Sequence, residues 1–164
     1  MMRPRRAQEE GHKRKFLVVI DDTPECLIAL SFAARRAAHT SGAVVLLSVI
    51  EPEGPQGFAG VEDIMRAEAR EQAQTTLAKF AARTRDLANL DPEMVIREGK
   101  RADEVRNLIE SDEDIAVLVL AAGAGTEGPG PLVTAIATRG AGTFPVPITI
   151  VPGTLTEEQL DAIA

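Results

Sequence analysis

The chain has 164 residues and is acidic, with 25 Asp and Glu against 18 Lys and Arg and a formal net charge of −7. This length fits one domain with a sizeable core, and no apolar run approaches the roughly 20 residues that cross a bilayer. A single cysteine, Cys26, excludes an internal disulfide, and with two histidines it gives no credible metal cluster. Non-specific nucleic-acid binding works by neutralising phosphates, to which an acidic chain is poorly suited. Together these features predict a cytoplasmic protein that binds no nucleic acid, no membrane and no metal.

Positive charge is concentrated at the start of the chain. Residues 1–15 contain six Lys or Arg and two Glu. We predict that residues 1–14 form a flexible basic leader, because chain termini are usually loosely held. One domain follows over residues 15–152. Residues 153–164 form a tail or a short helix, since Thr156 and Gln159 have the spacing of a capping box.

Apolar runs alternate with segments of helical periodicity along this domain. The runs predict five strands, at Phe16–Ile20, Ala43–Ile50, Glu93–Gly99, Ile115–Ala121 and Val146–Val151. Between them, helices are predicted from Pro24 to about Thr40, from about Val61 to Ala88, and over Arg101–Ser111. This order predicts a single-domain α/β fold, an open five-stranded parallel sheet with helices on both faces.

The first two predicted helices have recognisable starts and apolar faces. Thr23 is suited to cap the first helix, and Leu27 belongs to its apolar positions. Ile64 and Met65 begin the apolar stripe of the second helix, so we expect both side chains to face the core.

Ligands of open parallel sheets bind outside the carboxyl ends of the strands. After the first strand the sequence reads Asp21-Asp22-Thr23, and after the third it reads Gly99-Lys100-Arg101. The segment 121–143, with six glycines and two prolines, follows the fourth strand. The two aspartates suit either a ribose or Mg²⁺, or they act only as capping and solvated acids.

Four segments together resemble the universal stress protein family. They are "VVIDDT", "LLSVI", "GKRADEV" and "FPVPITIV", in that order, and the resemblance covers about residues 14–152. The resemblance implies the family's fold, which is like that of the adenine nucleotide alpha hydrolases. It also implies a homodimer that pairs through Pro147–Val151, and a site for ATP or AMP, with Mg²⁺ if the ligand is ATP.

The resemblance further implies which residues would meet the nucleotide. Adenine and ribose would contact the residues that end the first two strands, which are Asp21, Asp22, Thr23, Val49 and Ile50. Phosphates would lie on the glycine-rich loop, by the backbone N–H groups of the loop and of the following helix. The loop positions are Ala121, Gly123, Gly125, Gly128 and Gly130, with Thr134 and Ala135 where the family has a final Gly-Ser pair.

The loop departs from the family pattern G-x2-G-x9-G-[ST] in every register. Ala121 replaces the first glycine, Glu127 adds negative charge, and Pro129 and Pro131 each remove an N–H donor. Nucleotide binding and its absence therefore both stay open at this point.

Three functions follow from these observations. The first is a dimeric stress-response module that binds ATP or AMP, with any ATP hydrolysis slow and incidental. The second is a protein-interaction or regulatory module on the same fold that binds no nucleotide. A third, an enzyme acting on another small anion, lacks any recognisable pair of base and nucleophile, so we expect no catalytic residues.

Overall fold

A single all-parallel sheet organises the computed structural model, which describes residues 3–52 and 62–164. The strand order is β3-β2-β1-β4-β5, and every neighbouring pair is parallel. The strands are β1 (Lys15–Val19), β2 (Ala43–Ile50), β3 (Glu93–Glu98), β4 (Ile115–Ala122) and β5 (Ile148–Pro152). The predicted five-stranded parallel sheet is confirmed, although β5 begins two residues later than the sequence predicted.

Helices cover both faces of this sheet, as predicted. They are α1 (Cys26–His39), α2 (Glu62–Ala88), α3 (Arg101–Ser111), α4 (Pro131–Arg139) and α5 (Glu157–Ile163), with a 3₁₀ turn at Ala141–Thr143. Side chains of α1, α2 and α5 join one core cluster, and those of α3 and α4 join the other. Among the described residues, no helix is long and apolar enough to span a membrane.

The central strand β1 explains why the sheet is buried on both sides. Phe16 and Val18 point to the cluster of α1, α2 and α5, whereas Leu17 and Val19 point to that of α3 and α4. Successive side chains of a strand alternate between its faces. A continuous apolar run is therefore what a strand with helices on both sides requires.

The helix faces differ from the prediction at three side chains. Leu27, Ile64 and Met65 are 47%, 71% and 44% exposed rather than directed to the core. For α2 the reason is length, since 27 residues span about 40 Å and the longest strand only about 26 Å. The buried apolar residues of α2 therefore begin further along the helix, at Ala73, and include Leu77 and Ala81.

The leader was expected to be flexible, yet its described residues contact the folded domain. The guanidinium of Arg5 donates through Nη1 to the carbonyl oxygens of Ile109 and Asp112, at 2.7 and 3.0 Å. Ala7 is only 8% exposed, and His12 Nδ1 lies 2.6 Å from Asp114 Oδ1. The difference has a physical basis, because the carbonyl groups at the end of a helix attract a cation.

The chain after β5 forms the short helix that its capping signal predicted. Gln159 N–H donates to Thr156 Oγ1 at 3.2 Å, and Thr156 N–H donates to Gln159 Oε1 at 2.9 Å. Leu160 of this helix is fully buried in the core on the α1 side.

Candidate functional site

The strands β1 and β4 are neighbours, and the strand order reverses between them. The helix that follows β1 lies on one face of the sheet, and the helix that follows β4 lies on the other. A crevice at this point is the usual ligand site of an open parallel sheet. The structure has such a crevice, hereafter the cleft, in an inner and an outer part that share residues. The outer part has a volume of about 770 Å³, within the size range of small-molecule sites. The shared lining residues are Thr23, Glu25, Pro129, Gly130 and Pro131.

A tight turn after β1 fixes Asp21 at the inner part of the cleft. Its Oδ1 accepts hydrogen bonds from Thr23 N–H at 2.9 Å and from Thr23 Oγ1 at 2.6 Å. Thr23 is thus bound to Asp21 and does not cap α1 as predicted, because α1 begins only at Cys26. Within the described residues, Oδ2 of Asp21 has no hydrogen-bond partner, so this oxygen can accept one from a ligand.

Cys26 lies beside Asp21 in the inner cleft, but its thiol is unreactive. Its side chain is 4% exposed, and its Sγ donates to the carbonyl of Val19 at 3.4 Å. Burial raises the pKa of the Cys26 thiol to about 12. A thiol in this state is a packing residue, because the thiolate is the reactive form.

The glycine-rich loop uses part of its backbone to hold itself together. Gly123 N–H donates to the carbonyl of Pro129 at 3.1 Å, and Gly128 N–H donates to that of Gly125 at 3.2 Å. These are donors that a phosphate cradle would need. The loop therefore closes on itself instead of presenting all its N–H groups to the cleft.

Helix α4 begins at Pro131, so the glycine-rich loop leads directly into its first turn. Gly130 is its N-cap, with φ of +112°, and no side chain caps the helix. Thr134 N–H donates to Gly130 O at 3.0 Å, and proline has no N–H. The donors that the first turn of α4 can offer to a ligand are consequently those of Leu132 and Val133.

Thr134 and Ala135 therefore do not offer the first-turn N–H groups that a final Gly-Ser pair would offer. Both residues line the outer cleft, but they belong to the helix rather than to its N-terminal turn.

Most of the other predicted site residues lie at the cleft. Its lining includes Asp21, Thr23, Ala121, Gly123, Gly128 and Gly130. Asp22 and Ile50 lie instead in a neighbouring pocket on the α2 side, which Asp21 also lines. Val49 points into the core of the opposite face, and Gly125 lines none of the pockets described in residues 3–52 and 62–164.

Sequence reasoning missed several side chains that line these pockets. Ser48, Gln72 and Thr76 line the pocket on the α2 side. Gln72 and Thr76 lie in the middle of a long helix, where no strand-end rule could find them. Glu25, which precedes the first residue of α1, also lines the cleft.

Glu25 is packed between two glycines. A Cβ at Gly123 would lie 3.1 Å from Glu25 Oε1, and one at Gly153 would lie 2.8 Å from Glu25 Cγ. Gly153 N–H also donates to the carbonyl of Ala122 at 2.8 Å. Both glycines thus allow the carboxylate of Glu25 to approach the glycine-rich loop closely.

The cleft is electrostatically negative. Asp21, Glu25 and Glu127 line it, and none of its described lining residues is Lys, Arg or His. Among the residues that the structure describes, no group of three acidic, His or Cys side chains could hold a metal ion.

The sheet order and the cleft at the strand-order reversal define an open α/β protein with a crevice at its switch point. The model of the universal stress protein family matches residues 13–152, and the chain belongs to this family. No curated protein sequence matches the chain significantly.

Solved structures share this fold at low sequence identity. The universal stress protein UspA from Lactobacillus plantarum superposes with a TM-score of 0.70 at 13% identity, covering 84% of this chain and 97% of that one. The universal stress protein from Archaeoglobus fulgidus in complex with dAMP has a TM-score of 0.56 at 16% identity, with coverage of 84% and 97%. A universal stress protein family protein from Arabidopsis thaliana with AMP bound has a TM-score of 0.56 at 14% identity, with coverage of 85% and 91%.

Proposed function

We propose that this universal stress protein is a stress-response module that binds an adenine nucleotide in the cleft and prefers AMP to ATP. Neighbours of the same fold hold dAMP, AMP and, in a further structure, cAMP, ligands that each carry one phosphate. The observation that carries the preference is the absence of any cation among the described residues that line the cleft, beside three carboxylates.

Repulsion between the carboxylates of the cleft and the outer phosphates of ATP is large enough to change the affinity. Two unit charges of like sign 8 Å apart repel by roughly 2 kcal/mol at an effective dielectric constant of 20. The β- and γ-phosphates of ATP would extend along the outer cleft, past Glu127 and two prolines that offer no N–H. One such repulsion already exceeds the 1.4 kcal/mol that corresponds to a tenfold change in affinity.

A single phosphate makes smaller demands on the cleft. The N–H groups of Leu132 and Val133 would face it at the start of α4, where the helix dipole favours an anion. The free Oδ2 of Asp21 would accept a hydrogen bond from the ribose. The cleft thus offers a donor pair for one phosphate and an acceptor for one sugar, which suits a nucleoside monophosphate.

We infer that the protein senses the nucleotide rather than transforms it. In the described part of the cleft, the one nucleophilic thiol, that of Cys26, is protonated and buried, and no base lies within hydrogen-bond reach of it. A nucleophile without an activating base does not support covalent catalysis. Any hydrolysis of ATP would be slow and incidental.

We also propose that two copies of the chain associate through β5, over the predicted segment Pro147–Val151. β5 is an edge strand, and the Ile150 side chain is 41% exposed. An edge strand with unpaired backbone groups and an exposed apolar side chain is a favourable surface for pairing with a second strand.

Isothermal titration calorimetry with AMP tests the nucleotide proposal. We expect saturable binding to the wild-type protein and a loss of about tenfold in affinity for Asp21→Ala, since a hydrogen bond to a charged group is worth about 1.5–3 kcal/mol. Asp86→Ala is the matched control, because Asp86 is an exposed carboxylate on α2, remote from the cleft.

Two results would overturn the proposal. Unchanged AMP affinity in Asp21→Ala would show that the nucleotide does not bind in the cleft. Failure of the wild-type protein to bind AMP at millimolar concentration would favour the second function, an interaction module without a nucleotide. The specific observation behind that function is the closure of the glycine-rich loop by its own hydrogen bonds, from Gly123 to Pro129 and from Gly128 to Gly125.

A further inference from the structure

A second concave surface lies on the opposite side of the first turn of α4 from the cleft. This surface, hereafter the α3 groove, has a volume of about 330 Å³ and lies between β2, α3 and α4. Its apolar wall consists of Ala102, Pro131, Leu132 and Ala135. Pro131, Leu132 and Ala135 also line the cleft, so the two sites lie on either side of the start of α4.

The charges of the α3 groove are the reverse of those in the cleft. Lys100 and Arg101 line the groove beside a single acid, Glu51. Lys100 is exposed and makes no ion pair with any described residue. The groove therefore presents a net positive charge, within a domain that is otherwise strongly acidic.

Arg101 carries a donor that the protein leaves unused. Its Nε is buried and has no hydrogen-bond partner among the described residues. The nearest acid, Glu51 Oε1, lies 3.6 Å away, which is too long for a hydrogen bond. The Nε atoms of Arg5 and Arg14 are likewise buried and without a partner among the described residues. That of Arg101 differs in lying beside the groove, where an anion that replaces Glu51 would accept its hydrogen bond.

We propose that the α3 groove binds a small organic anion, with its phosphate or carboxylate on Lys100 and Arg101 and its apolar part against Pro131, Leu132 and Ala135. Guanidinium and ammonium groups both recognise such oxyanions. The apolar wall favours a ligand with a hydrocarbon body over a free inorganic ion. Glu51, with a side chain 48% exposed, turns toward solvent when the anion binds.

Titrations followed by ¹H–¹⁵N NMR test this proposal with three probes: phenyl phosphate, benzoate and inorganic phosphate. Saturable shifts are expected for the amides of Lys100, Arg101 and Ala102, which line the groove but not the cleft. Binding of phenyl phosphate should be at least several-fold tighter than binding of inorganic phosphate, which has no apolar body. The ratio of phenyl phosphate to benzoate affinity then shows whether the groove takes phosphates or carboxylates.

Three variants are expected to lower, raise and leave unchanged the affinity for phenyl phosphate. Lys100→Gln should weaken phenyl phosphate about tenfold, and Glu51→Gln should strengthen it several-fold. Lys79→Gln, which neutralises an exposed lysine on α2, should leave the affinity unchanged. An equal effect of Lys79→Gln and Lys100→Gln would mean general screening of charge and would overturn the proposal, as would the absence of saturable shifts at the groove.

The same titrations separate this site from the nucleotide site. AMP should shift the amides of the cleft and should be insensitive to Lys100→Gln. If phenyl phosphate shifted only amides around Asp21 and Gly123, the groove proposal would be overturned, and the nucleotide proposal for the cleft would stand. Groove binding without any response to AMP would support the groove while the nucleotide proposal failed.

Discussion

At the scale of single residues, Cys26 shows how burial determines chemistry in the cleft. Its thiol lies next to the acceptor Asp21, but its pKa is raised to about 12 by burial. At pH 8 only about one thiol in ten thousand would be a thiolate. We therefore expect the folded protein to react with a disulfide reagent far more slowly than the protein unfolded in guanidinium chloride, as measured by absorbance.

The same raised pKa determines how the free energy of unfolding depends on pH. Because the folded pKa is raised, Cys26 contributes stability that is fully present below its ordinary value of 9.0 and is lost as the pH rises toward about 12. Rapid modification of the native protein at pH 8 would contradict a buried, protonated thiol.

Single residues of the site were only partly predictable from the sequence. Asp21 and Thr23 follow a recognisable strand, and both line the cleft at the end of that strand. Val49 was placed by analogy, but alternation along β2 directs it to the opposite face from Ile50. Gln72 could not be found, because its contact with the pocket depends on how α2 crosses the sheet.

At the scale of elements, the start of α4 depends on Gly130. Its φ of +112° is a conformation that other residues rarely adopt, and a Cβ there would meet nothing within 4 Å. Gly130→Ala should therefore cost about 1–2 kcal/mol through backbone strain alone. Calorimetric unfolding measures this loss, with Gly125→Ala as the control, since Gly125 also has open space but a φ outside the strained region. Equal stability of the two variants would contradict the described turn.

The leader gives a second prediction at this scale. Arg5 donates to carbonyl groups at the end of α3, so Arg5→Ala should lower the free energy of unfolding by about 1.5–3 kcal/mol. Arg3→Ala is the control, because its side chain is 66% exposed and its ion pair with Glu113 spans 3.5 Å, a kind worth about 0–1 kcal/mol. Chemical denaturation with both variants measures the difference. A leader that is free in solution would make them equal.

Elements were more predictable than contacts between elements. The limits of β2 and α3 agree with the sequence, since apolar periodicity and turn residues define them locally. The leader was predicted to be flexible because chain termini are usually loosely held. Its acceptors belong to the end of α3 and to Ile115 at the start of β4, about 100 residues away in sequence, so no local pattern could reveal them.

At the scale of the whole molecule, the proposed association through β5 has a direct test. Sedimentation velocity at tens of micromolar should give about twice the chain mass of 17.5 kDa. Ile150→Lys should give a monomer, because it places a charge on the exposed face of the edge strand. Met94→Lys on the opposite edge, where the side chain is 53% exposed, should leave the dimer intact. A wild-type monomer would contradict the proposal.

The overall charge of the molecule also bears on its ligand. The chain is acidic as a whole, and its cleft is acidic in particular, so long-range and local fields both oppose a highly charged anion. The α3 groove is the exception, with its cations on the other side of the same helical turn. Two neighbouring sites of opposite charge would therefore select different ligands.

The measurement that tests the nucleotide assignment most directly is the ratio of the dissociation constants of AMP and ATP, determined by calorimetry on the wild-type protein with and without Mg²⁺. We expect AMP to bind at least about tenfold more tightly than ATP without Mg²⁺, and Mg²⁺ to narrow the gap by neutralising phosphates. Tighter binding of ATP than of AMP in the absence of Mg²⁺ would contradict the selection by charge that Asp21, Glu25 and Glu127 imply.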